Sequence, residues 1–102
     1  MVYVVSFAPE AEAQLISLFR YIARAAAADI ADRYVGAIVD QCEKLGDFPH
    51  RGSARDDIRP GLRTIAFRRR VTIAYSVIDQ TVTILGIYYG GQDFATLLAG
   101  DE

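Results

Sequence analysis

The run Val71-Thr72-Ile73-Ala74-Tyr75-Ser76-Val77-Ile78-Asp79-Gln80-Thr81-Val82-Thr83-Ile84-Leu85-Gly86-Ile87-Tyr88-Tyr89 is rich in β-branched and aromatic residues on both sides of a two-residue interruption. Val71, Ile73, Tyr75 and Val77 fall on one face and Thr72, Ala74 and Ser76 on the other, which is the period of a strand. Asp79-Gln80 reads as a hairpin turn, although it lacks the glycine of the strongest hairpin signals. Thr81–Tyr89 is the returning strand, ended by Gly90-Gly91. Upstream, Leu62–Phe67 is a third β-rich run, joined to the first by a tight corner of Arg68, Arg69 and Arg70. Three such strands in succession predict an antiparallel meander.

Working back to the N-terminus, residues 2–7 are again β-branched and aromatic and predict a first strand. Ala8-Pro9-Glu10 starts a helix, with proline tolerated at its first position and Glu10 and Glu12 favoured by the dipole. Ala11, Leu15, Leu18, Phe19 and Ile22 make its apolar stripe. Ala25–Ala28 reads as a turn, with Asp29 as the cap of a second helix. That helix carries Ile30, Tyr34, Ala37, Ile38, Cys42 and Leu45 on one face and stops at Gly46. Residues 46–61 read as a loop, long enough without regular structure to point to a function. Phe94, Leu97 and Leu98 are expected to form a short closing helical turn. The expected fold is α+β: an N-terminal strand, a helical hairpin and a three-stranded antiparallel meander in one twisted sheet, within a single domain spanning 1–102.

Composition narrows the function classes. With 102 residues, 52% of them apolar and 24% charged, the chain is neither disordered nor collagen-like. A lone cysteine (Cys42) and a lone histidine (His50) remove a disulfide framework, a multi-cysteine zinc site and most triads. No GxGxxG, P-loop, HExxH or CxxC is present, so neither cofactor nor metal is expected. The first residues lack a basic n-region, and no apolar run approaches the ~20 residues that cross a bilayer. The expected location is the cytoplasm, without membrane association.

The formal net charge of −2 conceals an asymmetry. Residues 51–70 hold seven arginines against two aspartates, a net of +5. The rest of the chain holds four basic and eleven acidic residues, a net of −7. Arginine's planar fork suits carboxylates and phosphates, so this stretch reads either as a solvated face or as a docking surface for an acidic partner. Cys42 lies on an apolar helix face and reads as a buried hydrophobe. His50 has no catalytic partner nearby in sequence, and Asp56-Asp57 read as local charge partners of the arginines. Tyr88 and Tyr89 point to opposite faces at the end of the last strand, so one is expected to pack and the other to face solvent. An exposed tyrosine beside Arg63 or Arg70 would suit nucleic-acid chemistry.

Phe7-Ala8-Pro9-Glu10-Ala11, Phe48-Pro49-His50-Arg51-Gly52, Asp57-Ile58-Arg59-Pro60-Gly61-Leu62-Arg63, Tyr75 and Ile84-Leu85-Gly86-Ile87-Tyr88-Tyr89-Gly90-Gly91-Gln92-Asp93 together resemble the ParE toxins of the RelE/ParE superfamily. Their order and spacing carry the resemblance over nearly the whole chain. It implies a helical hairpin on a twisted antiparallel sheet and a cognate ParD-like antitoxin with an acidic C-terminal segment, in a hetero-oligomer. It also implies DNA gyrase as the target. The RelE branch instead cleaves messenger RNA on the ribosome, using basic residues with a tyrosine or histidine near the last strand. Gly90 and Asp93 match the ParE ending, whereas Tyr89 and Gln92 stand where many members have histidine and arginine. An acidic overall balance argues against a clamp on ribosomal RNA. A gyrase-directed toxin acting by binding is therefore expected first, an endoribonuclease second and an inactive antitoxin-binding module third. The candidate interaction surface is Arg51, Arg55, Arg59, Arg63, Arg68, Arg69, Arg70, Tyr88 and Tyr89; on the nuclease reading Arg63, Arg70, Tyr88 and Tyr89 would be catalytic.

Overall fold

Pro9 at the first helical position and Glu10 and Glu12 in the first turn start helix α1 (Pro9–Ala25) in the computed structural model, which describes residues 3–90. The preceding strand β1 is Val4–Phe7. Helix α2 spans Ala28–Lys44, with only Ala26-Ala27 between the helices, so they form the expected hairpin. Asp29 is not the cap. Ala27 holds that position without a side-chain hydrogen bond, and Asp29 sits inside the first turn, where it pairs with Arg33 four residues on, at 3.6 Å. The apolar face of α2 is also rotated slightly from the expected stripe: Ala31, Ile38, Cys42 and Leu45 are buried, while Ile30 is exposed.

Strands β2 (Ser53–Ala54), β3 (Leu62–Phe67), β4 (Val71–Ile78) and β5 (Thr81–Tyr89) complete one five-stranded sheet in the order β1-β5-β4-β3-β2. The β3–β4–β5 meander is antiparallel, as its sequence predicts. Two features differ. β1 runs parallel to β5, pairing Val4 with Thr81 through Phe7 with Ile84, so the sheet is mixed. The segment between α2 and β3 contributes β2, whose two residues pair with Arg63 and Thr64 and shorten the expected loop. The expected turn at Phe94, Leu97 and Leu98 lies outside the described residues.

A bulge keeps β5 apolar toward the helices. Ala74 pairs with Gly86 and Tyr75 with Ile84, leaving Leu85 as the extra residue. The inserted residue inverts the alternation, so Val82, Ile84 and Ile87 all join the helix-facing core. There they pack with Leu18, Ile38, Cys42, Leu45, Val71, Ile73 and Tyr75. Leu85 and Tyr88 turn to the opposite face with Leu62, Ala74 and Ile58.

Candidate functional site

The seven arginines of residues 51–70 do not form one surface. Arg51, Arg55, Arg59 and Arg63 belong to the end of the sheet where β3 begins, and Arg68, Arg69 and Arg70 to the end where it stops. Six residues of strand put about 17 Å between the two groups. Arg63 is held within the first group, its terminal nitrogen donating to the His50 carbonyl at 2.7 Å and the Gly52 carbonyl at 2.6 Å. The buried Tyr75 hydroxyl accepts the Gly52 N–H at 3.0 Å, so two side chains of the sheet clamp the 50–52 backbone. Gly52 is required there, because a Cβ would overlap the Thr64 carbonyl and lie 2.8 Å from the Tyr75 hydroxyl. This clamp explains why the glycine follows Phe48-Pro49-His50-Arg51: the chain passes over β3 with no room for a side chain.

Arg55 is committed to Asp57 by two contacts of 3.0 Å, which hold the Asp57 carboxyl below the usual carboxylate range. Asp56 accepts the Gly61 N–H at 2.8 Å, where Gly61 has a positive φ of 79°. Both aspartates therefore shape the turn into β3. Arg51 and Arg59 are exposed at this end. His50 is exposed too, with its carbonyl taken by Arg63.

At the opposite end the backbone reverses through Arg68 (φ 50°) and Arg69 (φ 62°), both in the left-handed region. This reversal is closed by Arg70 N–H donating to the Phe67 carbonyl at 3.1 Å and Gly90 N–H donating to the Arg70 carbonyl at 2.8 Å. Consecutive positive φ values match the right-handed twist of the flanking strands. Left-handed backbone strains side-chain-bearing residues, so the corner holds its three arginines at some cost. All three are exposed, and none makes an ion pair with a described residue.

The Arg68 guanidinium lies 4.8 Å from the Phe67 ring centroid and 5.7 Å from that of Tyr34, and the two rings meet edge to face at 5.6 Å. Stacking holds the fork against α2 and leaves its donors at the surface. The Tyr34 hydroxyl is buried and has no hydrogen-bond partner among the described residues. Burial and neighbouring Tyr89 push this phenol above its usual 10.0, against the pull of Arg68 and Arg70.

The two tyrosines ending β5 lie on opposite faces as the alternation predicts, but Tyr89 does not face solvent freely, packing in part against the helix-facing core. Tyr88 is buried at 3% exposure and covers Gly86, where a Cβ would meet its ring. Its phenol is raised by burial and by Glu10, with Gln14 hydrogen bonding and Arg59 acting the other way. Tyr89 is half-buried, pairs with Val71 beside Arg70, and lines an open hollow of about 450 Å³ with Gln14, Ser17, Leu18, Tyr21 and Ile87. Gln14 accepts the Ile87 N–H at 2.6 Å, standing where a neighbouring strand would supply a carbonyl. Arg63 and Tyr88 are thus spent on structure, and Arg68, Arg69, Arg70 and Tyr89 share one corner.

Tyr34 is the corner residue that the sequence pattern hides, because its spacing in α2 places it on the core face. Its aromatic neighbour Phe67, directly before the arginines, is the only local signal. Cys42 is fully buried, and burial with Glu43 pushes its thiol up to about 12. Among the described residues no three of His, Cys, Asp and Glu gather as a metal site would require. No described helix is long and apolar enough to cross a membrane.

A family model described as ParE toxin of the type II toxin–antitoxin system, parDE, matches residues 5–94. No curated protein matches the chain in sequence. Among solved structures, the chromosomal ParDE toxin–antitoxin system of Pseudomonas aeruginosa is similar at a TM-score of 0.77 and 22% identity, covering 87% of this chain and 97% of the other. The toxin–antitoxin complex RelBE2 of Mycobacterium tuberculosis is similar at a TM-score of 0.63 and 25% identity, covering 87% and 99% respectively.

Proposed function

Because the chain belongs to the ParE toxin family of type II toxin–antitoxin systems, we propose that it inhibits DNA gyrase by binding and is silenced by a cognate antitoxin. Residues 1–102 act in this reading as one toxin domain in the cytoplasm. The observation that carries the binding mode is the exposed corner of Arg68, Arg69 and Arg70 with Tyr89, cationic and without ion pairs to described residues. The groups suited to covalent chemistry are placed against it: the Cys42 thiol is buried and Tyr88 is packed. An antitoxin with an acidic segment meets the arginine-bearing surface by charge complementarity, which speeds encounter and makes it salt-dependent, and adds to a sheet edge. The named complexes among the structural neighbours support a partner of this kind.

One observation favours the second reading, a ribosome-dependent endoribonuclease. Tyr89 stands half-exposed beside Arg70 at the end of the last strand, where a proton donor and a phosphate-binding cation would be needed. Purified protein assayed in parallel for gyrase supercoiling and for ribosome-dependent mRNA cleavage separates the two. Loss of supercoiling with intact mRNA is the expected result. Codon-positioned cleavage with normal supercoiling would replace the first reading by the second.

A further inference from the structure

The corner's composition is specific enough to name its ligand chemistry. We propose that Arg68, Arg69 and Arg70, with Tyr34 and Tyr89 beside them, form a contact site for the phosphodiester backbone of duplex DNA. The inference rests on the gyrase reading, in which the target itself works on duplex DNA.

Three observations converge. The left-handed reversal at Arg68 and Arg69 brings three consecutive guanidinium groups to one exposed turn, with no described carboxylate paired to any of them. Arg68 is stacked on Phe67 and Tyr34, so one fork is already ordered and loses little freedom on meeting a phosphate. The Phe67 and Tyr34 rings meet edge to face at 5.6 Å, so the platform on which that fork rests is itself fixed.

A peptide partner would need backbone hydrogen bonds or an apolar pocket as well as charge. The turn offers little backbone, because Arg70 N–H and the Phe67 and Arg70 carbonyls are already bonded within it. Within the turn itself three cations stand beside aromatic rings, which is the chemistry of phosphate contact, and the apolar hollow lined by Leu18, Tyr21, Ile87 and Tyr89 lies next to it on the α1 side. The acidic remainder of the chain, net −7 outside residues 51–70, disfavours DNA elsewhere and leaves the two arginine groups at the ends of β3, of which the corner gathers its three in one turn. About three phosphates are then neutralised, so isolated affinity is weak and the slope of log K against log salt is about −3. Such a site adds hold and orientation to DNA already bound by the target.

The test is fluorescence anisotropy of a labelled duplex of about 20 base pairs, titrated with the full chain between about 50 and 200 mM salt. The expected slope is about −3. Charge reversal in the double variant Arg68→Glu/Arg69→Glu should weaken binding at least about tenfold. Arg51→Glu/Arg59→Glu, the same charge change at the far end of β3, should leave it within about twofold.

Equal losses in the two variants would reduce the effect to net charge and overturn the site, as would tighter binding to a single-stranded RNA or to an acidic peptide. Should the corner variant fail to fold, amide shift mapping of the unmodified protein with the duplex decides: shifts at 67–70, 34 and 89 support the site, and shifts elsewhere overturn it. Supercoiling inhibition without duplex binding would remove the site and leave the gyrase reading. Duplex binding at the corner without inhibition would do the reverse.

Discussion

Replacing Arg63 with methionine removes the charged head and keeps most of the stem. The lost interactions are the bonds from its terminal nitrogen to the His50 and Gly52 carbonyls at 2.7 and 2.6 Å. Hydrogen bonds from a charged donor contribute about 1.5–3 kcal/mol each. Two effects reduce the total. The freed His50 carbonyl belongs to an exposed residue and recovers water, and Arg63 Nε, buried with no described partner, no longer needs desolvating. The net loss is about 2–3 kcal/mol, which in a domain of this size lowers Tm by about 10–20 °C. Thermal unfolding followed by circular dichroism gives the shift, and hydrogen exchange at residues 50–54 should show the loop opening first, because the Tyr75 hydroxyl alone then holds Gly52. A variant that melts with the parent yet loses toxicity would refute this reasoning and restore Arg63 to the functional surface.

Two further outcomes follow from packing. Gly86→Ala drives a methyl into the Tyr88 ring, which has Ala74 and Leu62 around it on a closed face, and should cost about 1–3 kcal/mol by chemical denaturation. An unchanged midpoint would mean that Tyr88 moves freely. The Cys42 thiol, pushed up to about 12 by burial and Glu43, should resist a thiol reagent near neutral pH in the native protein. It should react only as fast as the chain opens, and rapid labelling of folded protein would contradict its placement.

Periodicity made the meander legible, because Val71, Ile73, Tyr75 and Val77 alternate without interruption and Leu62–Phe67 precedes them by only three residues. It could not reveal that β1 lies parallel to β5, since β-branched composition carries no direction. Nor could it reveal β2: Ser53-Ala54 is too short to show a period and sits among glycine and proline. The bulge at Leu85 was hidden for a related reason, as one extra residue changes which face Ile87 occupies without changing residue types.

The arginine-rich stretch was legible as a charge excess, but its division was not. Arg63 and Arg68 look alike in sequence, and only the sheet places one under a loop and the other at an open corner. Tyr34 stayed unread because helical spacing reports that a side chain faces inward, not what it meets there. Strand alternation sends Tyr88 and Tyr89 to opposite faces but does not say how far each is buried: Tyr88 is packed, and Tyr89, expected to face solvent, is half-buried against the helix-facing core.

The proposed target is tested most directly by inhibition of gyrase supercoiling on relaxed plasmid by the purified chain, with the Arg68→Glu/Arg69→Glu variant alongside and folding of both verified. The unmodified chain should block supercoiling, and reversing the two charges should weaken the block at least about tenfold, through the corner's contacts with phosphate and target. Undiminished inhibition by the folded variant would contradict the assignment of the corner. Normal supercoiling in the presence of the unmodified chain would contradict the proposed target itself.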